Sequence, residues 1–490
     1  MDLYKFYTKI DASVVVARMI FNYLESHAPL KKIQDIAETT SGGTPSRNIT
    51  SYYGGNIPWI KSGELNDGFI EKSEEYITEE GLNNSSAKVY PKGTLVLALY
   101  GATVGKVGIL NIEAASNQAV CAIFPNKDVN RDYLFWFFRQ KRYDYIKSSF
   151  GGAQPNISQK VVKETLAPIP DYKVQENIVK FLNHYESKRI ISDGLIDEFL
   201  VDEVKRFHMI SNTHQQVTNE ILQQENWIKT LRKLILQEAV QGKLVEQDPN
   251  DEPAAELLKR IREEKERLIK EKKIKKEKPL PPISPEEIPY ELPKGWEWVR
   301  LGELVSKLGA GKTPKGGDTN YQSSGIKFIR SQNVWNDGLV LDDIAYISEE
   351  INETMRGSIV HPEDILLNIT GASIGRSCLL PDDFDTGNVN QHVAIIRLIK
   401  PELRFYIHKC IISPLFQNRI MDVQVGISRE GLSMSKLAHF IVPLPPMNEQ
   451  KRIIEKIDTL FKICKSLEIS IKKAQKDVQL LLQKTLQELI

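Results

Sequence analysis

Cysteine is scarce in this sequence. Its 490 residues hold four, Cys121, Cys378, Cys410 and Cys464, with no C-x-x-C pair among them. Cysteines this few and this far apart describe a reduced chain rather than a disulfide framework. The eight histidines are scattered without H-x-x-x-H spacing, so no metal site is expected. No apolar run reaches the ~18 residues of a membrane span. The start, "MDLYKFYTKIDASVVVARM", contains acidic residues and too short an apolar core for a signal peptide. The expectation is a cytoplasmic protein with no membrane partner. Charge of one sign is also missing. The net value is +1, so any attraction to a polyanion must be local.

Catalytic motifs are absent too. There is no [DNS]-P-P-[YFW] methyltransferase loop, no strand-borne G-x-G-x-x-G and no G-x-S-x-G elbow. Pro170-Asp171 with Glu186 and Lys188 mimics a nuclease spacing, but the second copy described below has Pro446 where Asp171 stands. Gly311-Lys312-Thr313 copies the tail of a phosphate loop. The glycine that a full loop needs five residues earlier is Ser306, and Pro314-Lys315-Gly316-Gly317 reads as turn, not helix. The chain reads as a binding protein, not an enzyme.

What is present is a repeat. "SGGTP" (41–45) matches "AGKTP" (310–314), and "IPWIKSGELNDG" (57–68) matches "IKFIRSQNVWNDG" (326–338). "LYGATVGKVGIL" (99–110) matches "ITGASIGRSCLL" (369–380), and "NQAV" (117–120) matches "NQHV" (390–393). The offset begins at 269 and drifts by only six residues, ending where "LAPIPDYKVQENIVKFL" (166–182) faces "IVPLPPMNEQKRIIEKI" (441–457). Two copies of one domain follow, at 31–172 and 295–446. Because the first copy has Gly43 where the second has Lys312, the lysine reads as a variable tip residue and not as part of a nucleotide phosphate loop. The shared Thr-Pro turn is expected to lead into a strand. Short β-branched runs around glycine turns, with helical pattern at 132–148 and 403–420, predict an α+β domain with a twisted sheet.

The remaining segments are helical or extended. From Ile453 through Ile457, Leu460, Cys464, Leu467, Ile471, Ala474 and Val478 to Leu481 the apolar spacing alternates four and three, a heptad seam. Residues 173–257 form a central helical spacer, broken at Ser192-Asp193-Gly194, with Val217, Ile221, Ile228, Leu231 and Ile235 on one face. An antiparallel pairing of this region with the C-terminal helix (447–490) is expected. Residues 1–30 carry a further helix. Residues 258–294 combine a charged helix and a linker: 259–278 hold eleven Lys/Arg against five Glu, and 279–293 hold six prolines. The first reads as a solvated face and the second as an extended spacer without a core.

The joint "LILQEAVQGKLVEQDPNDEPAAELLKRIREEKERLIK", followed by "ELPKGWEWVRLGEL", joins two divergent GGTP-type repeats. This arrangement resembles the specificity (S) subunit of Type I restriction–modification systems over roughly 30–490. The resemblance implies two target recognition domains, joined by long antiparallel coiled-coil helices with pseudo-two-fold symmetry. Each domain would read one half of a bipartite site in double-stranded DNA. The helices would dock two methyltransferase (M) subunits, with restriction–translocase (R) subunits completing the endonuclease. It implies no cofactor on this chain, with S-adenosylmethionine for adenine N6 methylation, ATP and Mg in the partner subunits. It also implies that the N-terminal helix pairs with the C-terminal helix, making the chain pseudo-circular. Two alternatives stay open: a specificity subunit whose single partner fuses methylase and nuclease, and a coiled-coil scaffold with protein-binding ends.

DNA readout needs Arg or Lys for guanine and Asn or Gln for adenine, with Lys, Ser and Thr on phosphates. The shared loops supply Thr44, Ser46, Lys61, Ser62, Thr103, Lys106, Gln154 and Asn156 in the first copy. In the second they supply Lys312, Thr313, Arg330, Ser331, Gln332, Asn333, Ser373, Arg376 and Arg429. Positive charge recurs at Lys61/Arg330 and at Lys106/Arg376. Trp59 and Phe328 read as core. The copies differ most at 46–56 against 315–325 and at 121–165 against 394–440, so the half-sites are expected to differ.

Overall fold

The computed structural model describes residues 12–148, 156–189, 191, 193–424 and 431–489. Two compact units emerge. One comprises the chain up to Glu220 together with residues from Ala474 on; the other comprises Ile221–Lys473.

In the first unit, β-branched and aliphatic runs form two sheets. A five-stranded sheet has the order Ala37–Ser41, Val120–Pro125, Leu95–Ala98, Val107–Leu110, Gly68–Ile70. A four-stranded sheet has the order Tyr76–Ile77, Tyr53–Ile60, Ala114–Ser116, Val89–Tyr90. The domain's ends are tied by Leu30–Lys32 pairing antiparallel with Leu166–Pro168. Three helices pack on the larger sheet: α1 (Ala12–His27), α2 (Arg131–Ser148) and α3 (Tyr172–Lys188). Trp59 is buried, as its place between apolar neighbours predicts.

Helix α1 departs from expectation. It is built into the first domain, with Val16, Ile20 and Phe21 buried beside Tyr133 and Phe137 of α2. Leu482 of the C-terminal helix touches the same cluster. Two large rings and a run of β-branched side chains bury more apolar surface in that core than a two-helix seam offers. Helix α3 ends at Arg189 in the left-handed conformation, and Gly194 at φ +79° turns the chain before α4 (Glu198–Val240) begins. Helix α4 starts about twenty residues before Val217, the first residue of the apolar face read from the sequence.

The second unit repeats the plan. Val305–Ala310, Val393–Leu398, Ile365–Asn368 and Ser377–Leu379 form one sheet. Ala345–Ile347, Ile326–Ile329, Gly387–Val389 and Ile359–Val360 form the other, with Phe328 buried. Glu297–Arg300 pairs with Ile441–Leu444, the counterpart of the tie in the first domain. The helical pattern at 403–420 splits at Ser413-Pro414 into Arg404–Ile411 and Pro414–Gln424, because proline removes a helix donor.

The charged segment forms α5 (Ala254–Lys270). The proline segment is docked, not a free spacer. Arg300 is 2% exposed and donates to the carbonyls of Pro281 (2.7 Å), Pro282 (3.0 Å) and His439 (2.7 Å), and to both oxygens of Glu287. Tyr290 donates to the Val240 carbonyl at 2.7 Å.

The C-terminal helix α6 runs Met447–Leu489. Within the second unit it lies antiparallel to the end of α4. Arg232 pairs with Glu468 at 3.1 Å, while residues just beyond α4, Gln247 and Asp251, meet Glu449 and Arg452. Beyond Ile453, which is buried at the start of α6, one row of each seam is covered and the other is open at its middle. Ile221, Ile228 and Ile235 are buried, as are Ile457, Cys464 and Ile471. Leu231 (42% exposed) and Leu467 (44% exposed) are not.

Candidate functional site

Both domains carry the same loop framework. The Thr-Pro turn follows a strand in each copy, Ala37–Ser41 or Val305–Ala310, and leads through a 3-10 turn to the next, Tyr53–Ile60 or Ile326–Ile329. Glycine there answers a close approach. A Cβ on Gly42 would lie 2.1 Å from the Ser116 carbonyl oxygen, and one on Gly311 would lie 2.0 Å from that of Val389. The threonine that follows is pinned to the Asn-Gln motif: Thr44 hydrogen-bonds Gln118, and Thr313 hydrogen-bonds Gln391. Asn117 and Asn390 each accept from the amide two residues on, at 3.1 Å.

A second turn is shared. The Lys61 amide donates to Glu64 at 2.8 Å, and the Arg330 amide donates to Asn333 at 2.9 Å. Asp67 accepts from the Val107 amide at 3.0 Å, and Asn336 accepts from the Ser377 amide at the same distance. These bonds bring the second turn against the third, where the amides of Lys106 and Arg376 donate to the carbonyls of Thr103 and Ser373. Such matched bonds explain why the short motifs recur: they hold three loops together on two different surfaces.

The predicted residues are placed as follows. Thr44, Lys61, Ser62, Thr103 and Lys106 are half-buried on the first domain's three turns; Ser46 is exposed beside them. The Lys61 ammonium contacts Glu75 (3.0 Å) and Glu74 (3.2 Å), and the Glu75 hydrogen bond leads the causes that raise its pKa. Asn156 is exposed and bridges backbone to Tyr100, the residue that opens the third turn. Gln154 and Arg429 lie outside the described residues.

In the second domain Lys312, Thr313 and Gln332 are exposed, and Ser331, Ser373 and Arg376 are half-buried. Arg330 donates to the Asp343 carbonyl at 2.6 Å and pairs with its carboxylate at 3.3 Å. Asn333 is buried and held by its own turn, donating to the Val340 carbonyl at 3.0 Å. Arg376 lies 3.7 Å over the ring of Trp335, itself 43% exposed, whose Nε1 donates to the Gln332 carbonyl at 2.8 Å. That cation–π contact orients the guanidinium at the mouth of two turns. Trp335 was not among the residues marked from sequence; the signal for it is an aromatic at a turn position where the first copy has Asn66. A chain of polar contacts, Thr313–Gln391–His392–Thr370, links the first turn to the third in this copy. The decoy carboxylate Glu186 is paired with Arg139 at 2.6 Å.

A family model described as the Type I restriction modification DNA specificity domain matches residues 29–199 and 293–475. The chain belongs to this family. Its two specificity domains coincide with the two loop-bearing repeats. The chain is similar to the Type I restriction enzyme EcoAI specificity subunit of Escherichia coli, 32% identical over 387 residues, 71% of this chain and 62% of that protein. The EcoEI specificity subunit of Escherichia coli is 32% identical over 341 residues, 61% of this chain and 56% of that protein. The chain thus spans less than two thirds of either relative. The MjaIX specificity subunit of Methanocaldococcus jannaschii is 24% identical over 445 residues, 88% of this chain and 86% of that protein. The solved HsdS subunit from Thermoanaerobacter tengcongensis aligns at a TM-score of 0.40 and 15% identity, covering 94% of this chain and 95% of that one.

Proposed function

We propose that each specificity domain reads one half of a bipartite site in double-stranded DNA through its three gathered turns. The observation that carries this reading is the duplicated framework. Matched bonds hold the turns in both domains, while the side chains they present differ, Trp335 under Arg376 in one and Asn66 in the other. A constant scaffold with variable tips is what two readers of unlike sequence require. Arg376 and Gln332 suit base edges, while Lys312, Thr313, Lys106 and Ser46 suit phosphates. The acids beside Lys61 and Arg330 would hold these cations in place until phosphate replaces them.

In this reading the helices α4 and α6 set the distance between half-sites. A 43-residue helix spans ~65 Å, against ~34 Å per turn of duplex. The open apolar row, Trp227 (61% exposed), Leu231 and Leu234 on α4 with Ile463 and Leu467 on α6, would dock methyltransferase subunits. S-adenosylmethionine, for transfer to adenine N6, and the ATP and Mg of the restriction–translocase subunits are assigned to those partners. The test is a mobility shift of the chain with its methyltransferase across a salt series. The reading requires a sequence-specific shift whose affinity falls linearly with log salt. A shift indifferent to sequence and salt would leave only a scaffold.

A further inference from the structure

The charged segment of residues 259–278 has no part in that reading, yet the fold does not leave it as a solvated face alone. Its end lies over the start of the edge strand Val305–Ala310 and forms one wall of a half-open cavity of about 360 Å³. Lys265, Lys273, Lys275, Lys307 and Arg397 line it, with Glu277 as the carboxylate on its wall. We infer that this cavity is a phosphate-binding site, separate from the three turns.

The argument is one of unpaired charge. Arg397 is neutralised by a bidentate contact with buried Asp364, at 2.7 Å to each oxygen, and Lys273 by Glu271 at 2.8 Å. Lys265 and Lys307 have no such partner. Each is half-buried and donates only to a backbone carbonyl, Lys265 to Gly302 at 2.7 Å and Lys307 to Ile359 at 3.4 Å. Neither meets a carboxylate within salt-bridge distance among the described residues. Burial leads the causes that lower the pKa of both, and Arg397 lowers that of Lys307 further, against a raising pull at longer range from Glu277 and Glu303 on Lys265 and from Asp364 on Lys307. Of these carboxylates, Glu303 and Asp364 are already paired with Arg262 and Arg397, so an anion in direct contact would stabilise both partly buried ammonium groups. Each ammonium carries three donors, so donors remain for a ligand oxygen. The cavity has room for a phosphate group, and a polar, cation-lined wall suits one better than an apolar ligand.

The phosphate has two possible sources. Lys307 lies on the strand that leads to Lys312, about 16 Å along the extended chain, so a flanking phosphate of the same duplex is within the domain's reach. A free polyphosphate presents the same chemistry.

The experiment uses the full chain, the double variant Lys265→Gln/Lys307→Gln, and thermal melting to check that both fold. Inorganic pyrophosphate is titrated calorimetrically. The wild-type chain should bind it saturably, and the variant should lose at least tenfold in affinity. If duplex DNA is the source, the slope of log affinity against log salt falls by about one in the variant, with sequence preference unchanged. If a free polyphosphate is the source, the slope stays constant while ATP binds the wild-type chain and not the variant. Pyrophosphate failing to bind the wild-type chain, or binding both forms equally, overturns the inference. Because pyrophosphate binding requires no half-site, this outcome is independent of whether the chain reads DNA.

Discussion

Arg300 and Glu287 form a bidentate ion pair, at 2.8 and 2.9 Å, that fastens the proline segment to the second domain. The guanidinium's remaining donors go to backbone carbonyls on both sides of the joint. Arg300→Ala would strand those carbonyls and the carboxylate. We expect a loss of about 1–3 kcal/mol, because Arg300 is buried while the Glu287 carboxylate, 36% exposed, can turn to water. Urea denaturation of the full chain measures it, and limited proteolysis should show new cleavage within 279–293 in the variant alone.

The same pair gives an acid signature. The hydrogen bond from Arg300 leads the causes that hold the Glu287 carboxyl down at about 2, against an ordinary 4.5. A depressed carboxylate stabilises the fold above its unfolded pKa and stops doing so as pH falls through its folded value. This contribution is therefore complete above about pH 4.5 and lost toward pH 2. Glu287→Gln should flatten that limb of the stability profile.

His408 acts in a different window. It is buried, its Nε2–H donates to the Ser377 carbonyl at 3.0 Å, and desolvation pushes its pKa down to about 4 from 6.5. Between those values the unfolded chain binds the extra proton, so stability rises with pH there and is lost as pH falls from 6.5 to about 4. His408→Gln should remove that part of the slope; an unaltered slope between these values would reject the assignment.

The first glycine of "SGGTP" and the lysine of "AGKTP" should behave oppositely. Gly42→Ala forces a Cβ against the Ser116 carbonyl and should cost about 1–3 kcal/mol, with loss of one half-site. Lys312→Ala should leave the fold intact and weaken duplex binding evenly across sequences. Arg376→Ala should instead relax preference at one base pair of one half-site, by about 1–3 kcal/mol in competition binding.

The two rows of the helix seam can be separated. Ile457 is fully buried, so Ile457→Ala should destabilise by about 2–5 kcal/mol. Leu467→Ala, on the open row, should alter stability by less than about 0.5 kcal/mol. Co-purification with the methyltransferase should nonetheless drop for Leu467→Ala, if that row is the docking surface.

Much of this architecture is legible in the residues. The 269-residue offset reveals both domains because the turns that recur are fixed by local bonds, Thr44 to Gln118 and Thr313 to Gln391. Trp59 and Phe328 are core by their apolar settings. Contacts made far along the chain are not legible. Arg300 holds carbonyls, which any residue offers, so nothing in "PLPPISPEEIPYELP" announces that it is docked. Helix α1 carries apolar residues that a coiled-coil partner or a domain core would serve equally, and the core took them. The polar stretch "SNTHQQVTNE" gives the apolar face only Val217, so the pattern does not show how far back α4 extends, yet α4 runs through it. Trp335 lacks a twin, so a search for shared positions passes over it, although it orients Arg376. The heptad at Ile453–Leu481 was periodic on both rows, but periodicity does not say which row meets a helix and which stays open.

The central claim is that the two domains read separate half-sites. The most direct test replaces residues 31–172 with the corresponding domain of another specificity subunit, in a host carrying the partners, and sequences methylated adenines genome-wide. One half of the methylated motif should change, while the other half and the gap remain. A motif changed in both halves, or in neither, would contradict it.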